Sequence, residues 1–258
     1  MNDDCTNLEK LIEDSGHPVS LKASIILQRK GWHVRNAPRY LPEKDTDILK
    51  EIDIVATKKS KLIKDGANEF IIECKKQKDP WIFFKQTEKN HDIYTLNPNI
   101  AADSDGYVEH CHENNVRFQK HFYYDKELCT YFIVGGKKVD GRKNSETGGP
   151  GGTIYNAINQ VFSALKFYVR KSAGDCPVFY YPIIIFDGEM YEVSYHDEKP
   201  DIKKSNHISL YLEIEFDKPE MFYSTRGAFT ILESKSYIID IVKLDYFDKF
   251  LEEIDNRM

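Results

Sequence analysis

The segment Phe70-Ile-Ile-Glu-Cys-Lys75 ends an apolar run with two charges spaced two residues apart. Side chains alternate across a strand, so Glu73 and Lys75 project from one face while Ile72 and Cys74 project from the other. Asp53 stands in Glu51-Ile-Asp-Ile-Val-Ala56, between two isoleucines, where a carboxylate is costly unless a metal, a partner or solvent compensates it. Nineteen residues separate Asp53 from Glu73, enough for a hairpin with a long turn that sets the two carboxylates side by side. Two hard oxygen donors suit Mg²⁺ or Mn²⁺, because magnesium takes only one or two carboxylates and completes its octahedron with waters and substrate oxygens. A cation there would polarise a phosphodiester and lower the pKa of a bound water, with Lys75 positioning that water or answering the transition-state charge. The plainer alternative is a carboxylate at a strand end near solvent, beside an ordinary same-face Glu73–Lys75 ion pair of small energetic weight.

The elements that must position these residues are legible in the hydrophobic pattern. Val19, Ala23, Ile26 and Leu27 fall at helical spacing in a helix predicted from about Val19 to Lys30, with Gly31 in the stop position. Short strands are expected at Trp32 to Arg35, Leu49 to Thr57 and Glu69 to Lys75, the last two joined as an antiparallel hairpin through a turn at Asp65-Gly66. A helix is expected near Trp81 to Asp92, and residues 95–152 are taken as an insertion holding a strand at Tyr131 to Val134. Ile154, Ala157, Ile158, Val161, Phe162, Leu165, Tyr168 and Val169 then define an amphipathic helix from Thr153 to about Lys171, with Thr153 as a possible N-cap. The continuous apolar run Val178 to Phe186 suits a strand covered on both faces, turned by Asp187-Gly188 into Met190 to Tyr195. Strands at Ser209 to Phe216, Ala228 to Glu233 and Tyr237 to Val242 and a helix at Tyr246 to Ile254 complete the reading, within one domain over residues 1–258 whose sheet is extended by residues 187–258.

Taken in order, a helix, Gly31-Trp-His-Val, a strand bearing Asp53, a turn and Glu73-Cys-Lys75 resemble the PD-(D/E)xK nuclease superfamily over residues 19–76. The resemblance implies an α/β, restriction-endonuclease-like fold: a mixed central sheet flanked by helices, with the Thr153–Lys171 helix and the Val178–Phe186 strand completing an α-β-β-β-α-β core. It also implies a magnesium-dependent deoxyribonuclease in which Asp53, Glu73 and Cys74 hold the metal and Asp53, Glu73, Lys75 and Gln160 form the catalytic group, Gln160 resembling the accessory glutamine of some members. Two departures stand out. Ile52 replaces the proline of the name, and the first helix lacks an inward glutamate, for which Glu13 and Glu51 are the candidate replacements.

The formal charge of −6 argues against a generally basic nucleic-acid-binding surface. Any positive field must be local, near Lys75, Lys76 and Lys78 or in Lys137, Lys138, Arg142 and Lys143, each of which also reads as ordinary solvated charge. With 15 Phe and 16 Tyr the chain carries ample apolar surface for a folded core. Its five scattered cysteines form no C-x-x-C pair, which points to free thiols in a reducing cytoplasm, and neither a signal sequence nor a membrane-crossing run is visible. His110, Cys111 and His112 lack a partner pair for zinc. Gly148 to Gly152 lacks the Lys-Ser/Thr of a nucleotide loop and reads as a hinge. Trp81, Phe83 and Phe84 are expected in the core rather than stacked on bases, and Asp45 and Asp47 are expected to cap turns or face water rather than bind a second metal.

The leading expectation is therefore a cytoplasmic, metal-dependent DNA endonuclease of a restriction or anti-phage system, acting alone, as a homodimer or with a partner subunit. A catalytically inactive protein of the same fold that binds nucleic acid or a protein partner is the alternative, and a ligand-sensing regulatory protein a third class.

Overall fold

The computed structural model describes residues 3–41, 48–61, 66–85, 100–101, 127–135, 152–172, 178–196, 198–213, 220–223, 229–232 and 236–255. Two helices open the chain, α1 (Asp3–Asp14) and α2 (His17–Arg29), and Gly31, at φ 81, ends the second in the left-handed conformation that glycine accepts without a Cβ penalty. Strands β1 (His33–Asn36), β2 (Arg39–Tyr40), β3 (Lys50–Glu51), β4 (Ile54–Lys59) and β5 (Ala67–Lys76) follow. The expected single strand from Leu49 to Thr57 is thus broken into β3 and β4. The interruption lies at Ile52 and Asp53, whose backbones turn away to meet another partner: Ile52 N–H donates to the Pro38 carbonyl and the Asp53 carbonyl accepts from Ala37 N–H at 2.8 Å.

The helix expected near Trp81 is instead strand β6 (Trp81–Lys85) at its start, and residues 86–92 lie outside the described residues. Trp-Ile-Phe-Phe carries aromatic side chains that pack well on a pleated surface, and its pairing with β8 (Cys129–Val134) overrides a helical reading. After β7 (Ile100–Ala101) and β8 come α3 (Thr153–Ser172) and β9 (Val178–Asp187). Then follow β10 (Met190–His196), β11 (Lys199–Lys204), β12 (His207–Glu213), β13 (Glu220–Tyr223), β14 (Phe229–Leu232), β15 (Ser236–Lys243), a short 3₁₀ turn and α4 (Phe247–Asp255). Five elements escape the hydrophobic pattern: α1, β2, β7, β11 and β13.

Among the described residues eleven strands join one mixed sheet, in the order β1-β4-β5-β9-β15-β12-β8-β6-β10-β11 with β7 beside β9. β1, β4 and β5 form an antiparallel meander, with Ile54 opposite Ile72. β9 then lies parallel to β5, Glu73 beside Ile184 and Lys75 beside Phe186, and α3 provides the crossover that a parallel pair requires. β10 does not return along β9. It pairs with β6 and β11, so Asp187-Gly188 passes the chain to another part of the sheet rather than closing a hairpin.

Helices cover both faces. On one, Ile154, Ala157, Val161 and Leu165 of α3 pack on Val55, Ile71 and Ile184. On the other, Val19, Ala23 and Leu27 of α2 and Phe247, Phe250 and Leu251 of α4 pack on Ile54, Phe70, Ile72 and Ile185. β5 and β9 are buried on both sides, which explains their unbroken apolar stretches. Trp81 and Phe83 are fully buried, Trp81 stacked on Phe186 at 3.9 Å between ring centroids, so their role is packing. No helix among the described residues is long and apolar enough to cross a membrane.

Candidate active site

At the open end of the β4–β5 hairpin, where β4 begins at Ile54, Asp53 bends out of the ladder and turns its carboxylate back towards β5. Asp53 Oδ2 accepts the main-chain N–H of Cys74 at 2.7 Å. The Asp53 carboxylate is thus tied to the strand that carries Glu73. Lys75, two residues further along the same face, donates to Glu73 Oε1 at 2.6 Å and to Gln160 Oε1 of α3 at 2.9 Å. Asp53, Glu73, Lys75 and Gln160, the four residues expected to act together, converge on the α3 side of the sheet.

The electrostatics follow from burial. Glu73 is 4% exposed, and desolvation together with the Asp53 charge pushes its carboxyl up to about 7, against the opposing pull of Lys75. Burial also raises Asp53, partly offset by the Cys74 N–H and by Lys75. Two adjacent carboxylates answered by one ammonium make a site short of positive charge. A divalent cation would supply it, and the oxygen-only donor set suits a hard ion. Among the described residues no group of three or more His, Cys, Asp or Glu side chains is placed to hold a metal, so a cation here would rest on two carboxylates, waters and main-chain oxygen.

For Cys74 the thiol and the main chain face different ways. Its side chain packs on the α2 face with Ile72 and Ile185, and burial and the nearby carboxylates push its thiol well above the ordinary range, which disfavours a thiolate ligand. The Cys74 N–H points at Asp53, and within a strand the C=O of a residue lies on the same edge as its N–H. The carbonyl oxygen is therefore the Cys74 atom on the Asp53 side.

The site opens on a cleft of about 670 Å³ lined by Tyr40, Lys50, Glu51, Lys75, Asn156 and Gln160, among others. Tyr40 and Lys50 were not singled out by sequence. Lys50 Nζ donates to Ser163 Oγ at 3.2 Å, and burial raises the Tyr40 hydroxyl, with the Glu73 charge adding to the effect. A usable signal existed: Asn156, Asn159, Gln160 and Ser163 recur at helical spacing as a polar stripe beside the apolar stripe of α3. Of the candidate replacements for a helix glutamate, Glu51 lines this cleft but pairs with Arg39 at 3.2 Å, while Glu13 pairs with Lys76 at 3.3 Å. Asp45, Asp47, His110, Cys111, His112, Lys137, Lys138, Arg142 and Lys143, with most of the Gly148–Gly152 run, lie outside the described residues.

Comparison with family models, with curated proteins and with solved structures returned no match.

Proposed function

We propose that this chain is a metal-dependent DNA endonuclease of the PD-(D/E)xK type. The observation that carries this reading is the Asp53 carboxylate bound to the Cys74 N–H of the strand that carries Glu73, on the face that also bears Lys75 and Gln160. The order α2, β1, β4, β5, α3, β9, with β2 and β3 and then β6 to β8 interposed and with β9 parallel to β5, supports the same reading because it is compatible with the α-β-β-β-α-β succession that the resemblance implies.

Asp53 Oδ1, the Glu73 carboxylate and the Cys74 carbonyl are the oxygens that would hold Mg²⁺ or Mn²⁺. When bound, such an ion supplies Lewis-acid polarisation of the phosphate and a water of lowered pKa. The Cys74 N–H leaves Asp53 one free oxygen and fixes the plane of its carboxylate. Lys75 is held between Glu73 and Gln160, so its ammonium is aimed before substrate arrives and loses little freedom in stabilising the developing charge. Gln160 is exposed and lines the cleft, so a phosphate oxygen entering there can take its place as the acceptor for the Lys75 ammonium. Lys50 and Lys75 place positive charge along the cleft, enough for local phosphate contacts on an otherwise acidic chain.

The test is incubation of the purified protein with supercoiled plasmid, linear duplex and single-stranded DNA in Mg²⁺, Mn²⁺ or EDTA, beside folded Asp53→Ala, Glu73→Ala and Lys75→Ala proteins. Metal-dependent cutting lost in all three supports the assignment. Cutting that persists in Glu73→Ala overturns it, and absence of cutting by the unaltered protein with either metal favours the inactive, nucleic-acid-binding alternative.

A further inference from the structure

A second cleft, of about 790 Å³, opens on the α2 face of the sheet. It lies outside the carboxyl ends of three adjacent parallel strands, bounded by Gln77 after β5, Asp187 at the end of β9 and Lys243 at the end of β15. Ligands collect at such places in α/β sheets because the connections leaving neighbouring strands diverge there. Nothing in the proposed hydrolytic site uses this cleft.

Its chemistry is two-sided. The wall is apolar, with Phe186 fully buried behind it and Ile26 half-buried beside it. The rim carries Lys22 and Arg29 from α2 and Lys78 from the loop after β5, and none of these three forms a salt bridge among the described residues. Two of the three acids at the rim are already answered: Glu189 by Lys204 at 2.6 Å and Asp245 by Lys243 at 3.7 Å. Three uncompensated cations therefore face one remaining acid, Asp187. An apolar wall under a cationic rim fits a planar base with an attached phosphate, the wall taking the ring and the guanidinium and ammonium groups taking the oxygens.

We infer that the cleft between α2 and the ends of β5, β9 and β15 binds a nucleoside phosphate through Lys22, Arg29 and Lys78. Two sources share this chemistry. One is a nucleotide of a DNA strand leaving the hydrolytic site: Lys78 is three residues beyond Lys75, at most roughly 10 Å of extended chain, or about three nucleotides at ~3.4 Å of rise each. That form rests on the endonuclease reading. The other is a free nucleotide, which does not.

The experiment uses the full chain without divalent metal, so that no strand is cut. Binding of a labelled 12-nucleotide single strand is followed by fluorescence anisotropy across a salt series, and binding of deoxynucleoside monophosphates and ATP by calorimetry. The Lys22→Gln/Arg29→Gln/Lys78→Gln protein is compared with a control lacking three exposed lysines elsewhere, Lys59→Gln/Lys171→Gln/Lys199→Gln. The cleft variant should bind the oligonucleotide at least about tenfold more weakly, with a salt slope shallower by about 2, as expected for three lost phosphate contacts on a single strand. Loss confined to the oligonucleotide assigns the cleft to the DNA strand, and loss of saturable mononucleotide binding assigns it to a free ligand. Absence of binding in both arms, binding unchanged in the cleft variant, or an equal loss in the control overturns the inference. Failure to cleave DNA with metal defeats the endonuclease reading and leaves the mononucleotide arm intact.

Discussion

The Asp53 carboxylate is anchored by the strand that carries Glu73, accepting the N–H of Cys74 at 2.7 Å, and its charge helps to raise the Glu73 carboxyl. The arrangement needs β4 to begin no earlier than Ile54, because a ladder extended back through Ile52 would give the Cys74 N–H a carbonyl partner instead of a carboxylate. Two negative groups are thereby held together in a buried place.

Replacing Asp53 by Asn keeps an oxygen that can accept the Cys74 N–H and removes one of the two charges. Asp53→Asn should fold with stability equal to or above that of the unaltered chain, while magnesium-dependent cleavage falls at least about 10²-fold. Asp53→Ala, by contrast, strands the Cys74 N–H and should cost about 1–3 kcal/mol in denaturant unfolding. Identical stabilities for the two variants would refute the anchoring role.

Glu73 sets a pH dependence whose sign is determined. Its carboxyl, ordinarily near 4.5, is raised to about 7 in the folded chain, so between these values the native state binds more protons than the unfolded state. Stability of the metal-free protein should therefore decline as pH rises from about 4.5 to about 7 and level off above that. The raised Asp53 adds a decline of the same sign. Glu73→Gln should flatten most of this slope and raise the melting temperature at pH 8. A slope unchanged in Glu73→Gln would mean that other groups produce it.

Because a bound cation takes the place of the Glu73 proton, magnesium affinity should rise with pH up to about 7 and then reach a plateau. Calorimetric titration of Mg²⁺ between pH 5.5 and 8.5 checks this, and affinity independent of pH across that range excludes Glu73 as a ligand.

Lys75 and Gln160 separate stability from reactivity. Lys75→Ala leaves Glu73 and Asp53 without their cation, so the protein should lose stability above pH 7 and regain it on adding millimolar Mg²⁺. Gln160 is exposed, and Gln160→Ala should leave the melting temperature within a few degrees while lowering cleavage roughly tenfold through a less constrained Lys75. Thermal scans at pH 6 and pH 8 with and without metal distinguish the two residues.

Gly188 holds the passage from β9 to the other part of the sheet. A Cβ there would sit 2.6 Å from the Gln77 carbonyl oxygen and against the ring of Phe186, so Gly188→Ala should cost about 1–3 kcal/mol. The same change should perturb the second cleft, which Gly188 and Phe186 both line, more than the first. Proteolysis rates and oligonucleotide affinity measure the two effects.

The local grammar of the chain determined much on its own. Helical spacing from Val19 to Leu27 and from Ile154 to Tyr168 predicts α2 and α3, because an apolar stripe at that period has only one way to be buried. Alternation places Glu73 and Lys75 on one face of β5 whatever the fold, and the continuous apolar run of β9 calls for cover on both sides. Other features depended on distant partners. Trp81 to Lys85 is a strand because β8 and β10 hydrogen-bond to it, and Asp187-Gly188 is a crossing because β9 already pairs with β5 and β15. The break at Asp53, the opposite facing of the Cys74 N–H and thiol, and the entry of Tyr40 and Lys50 into the cleft arise only when β1 to β5 and α3 assemble. Side-chain period is a property of neighbours in the chain, whereas burial, pairing and the charge felt by a carboxylate belong to neighbours in space.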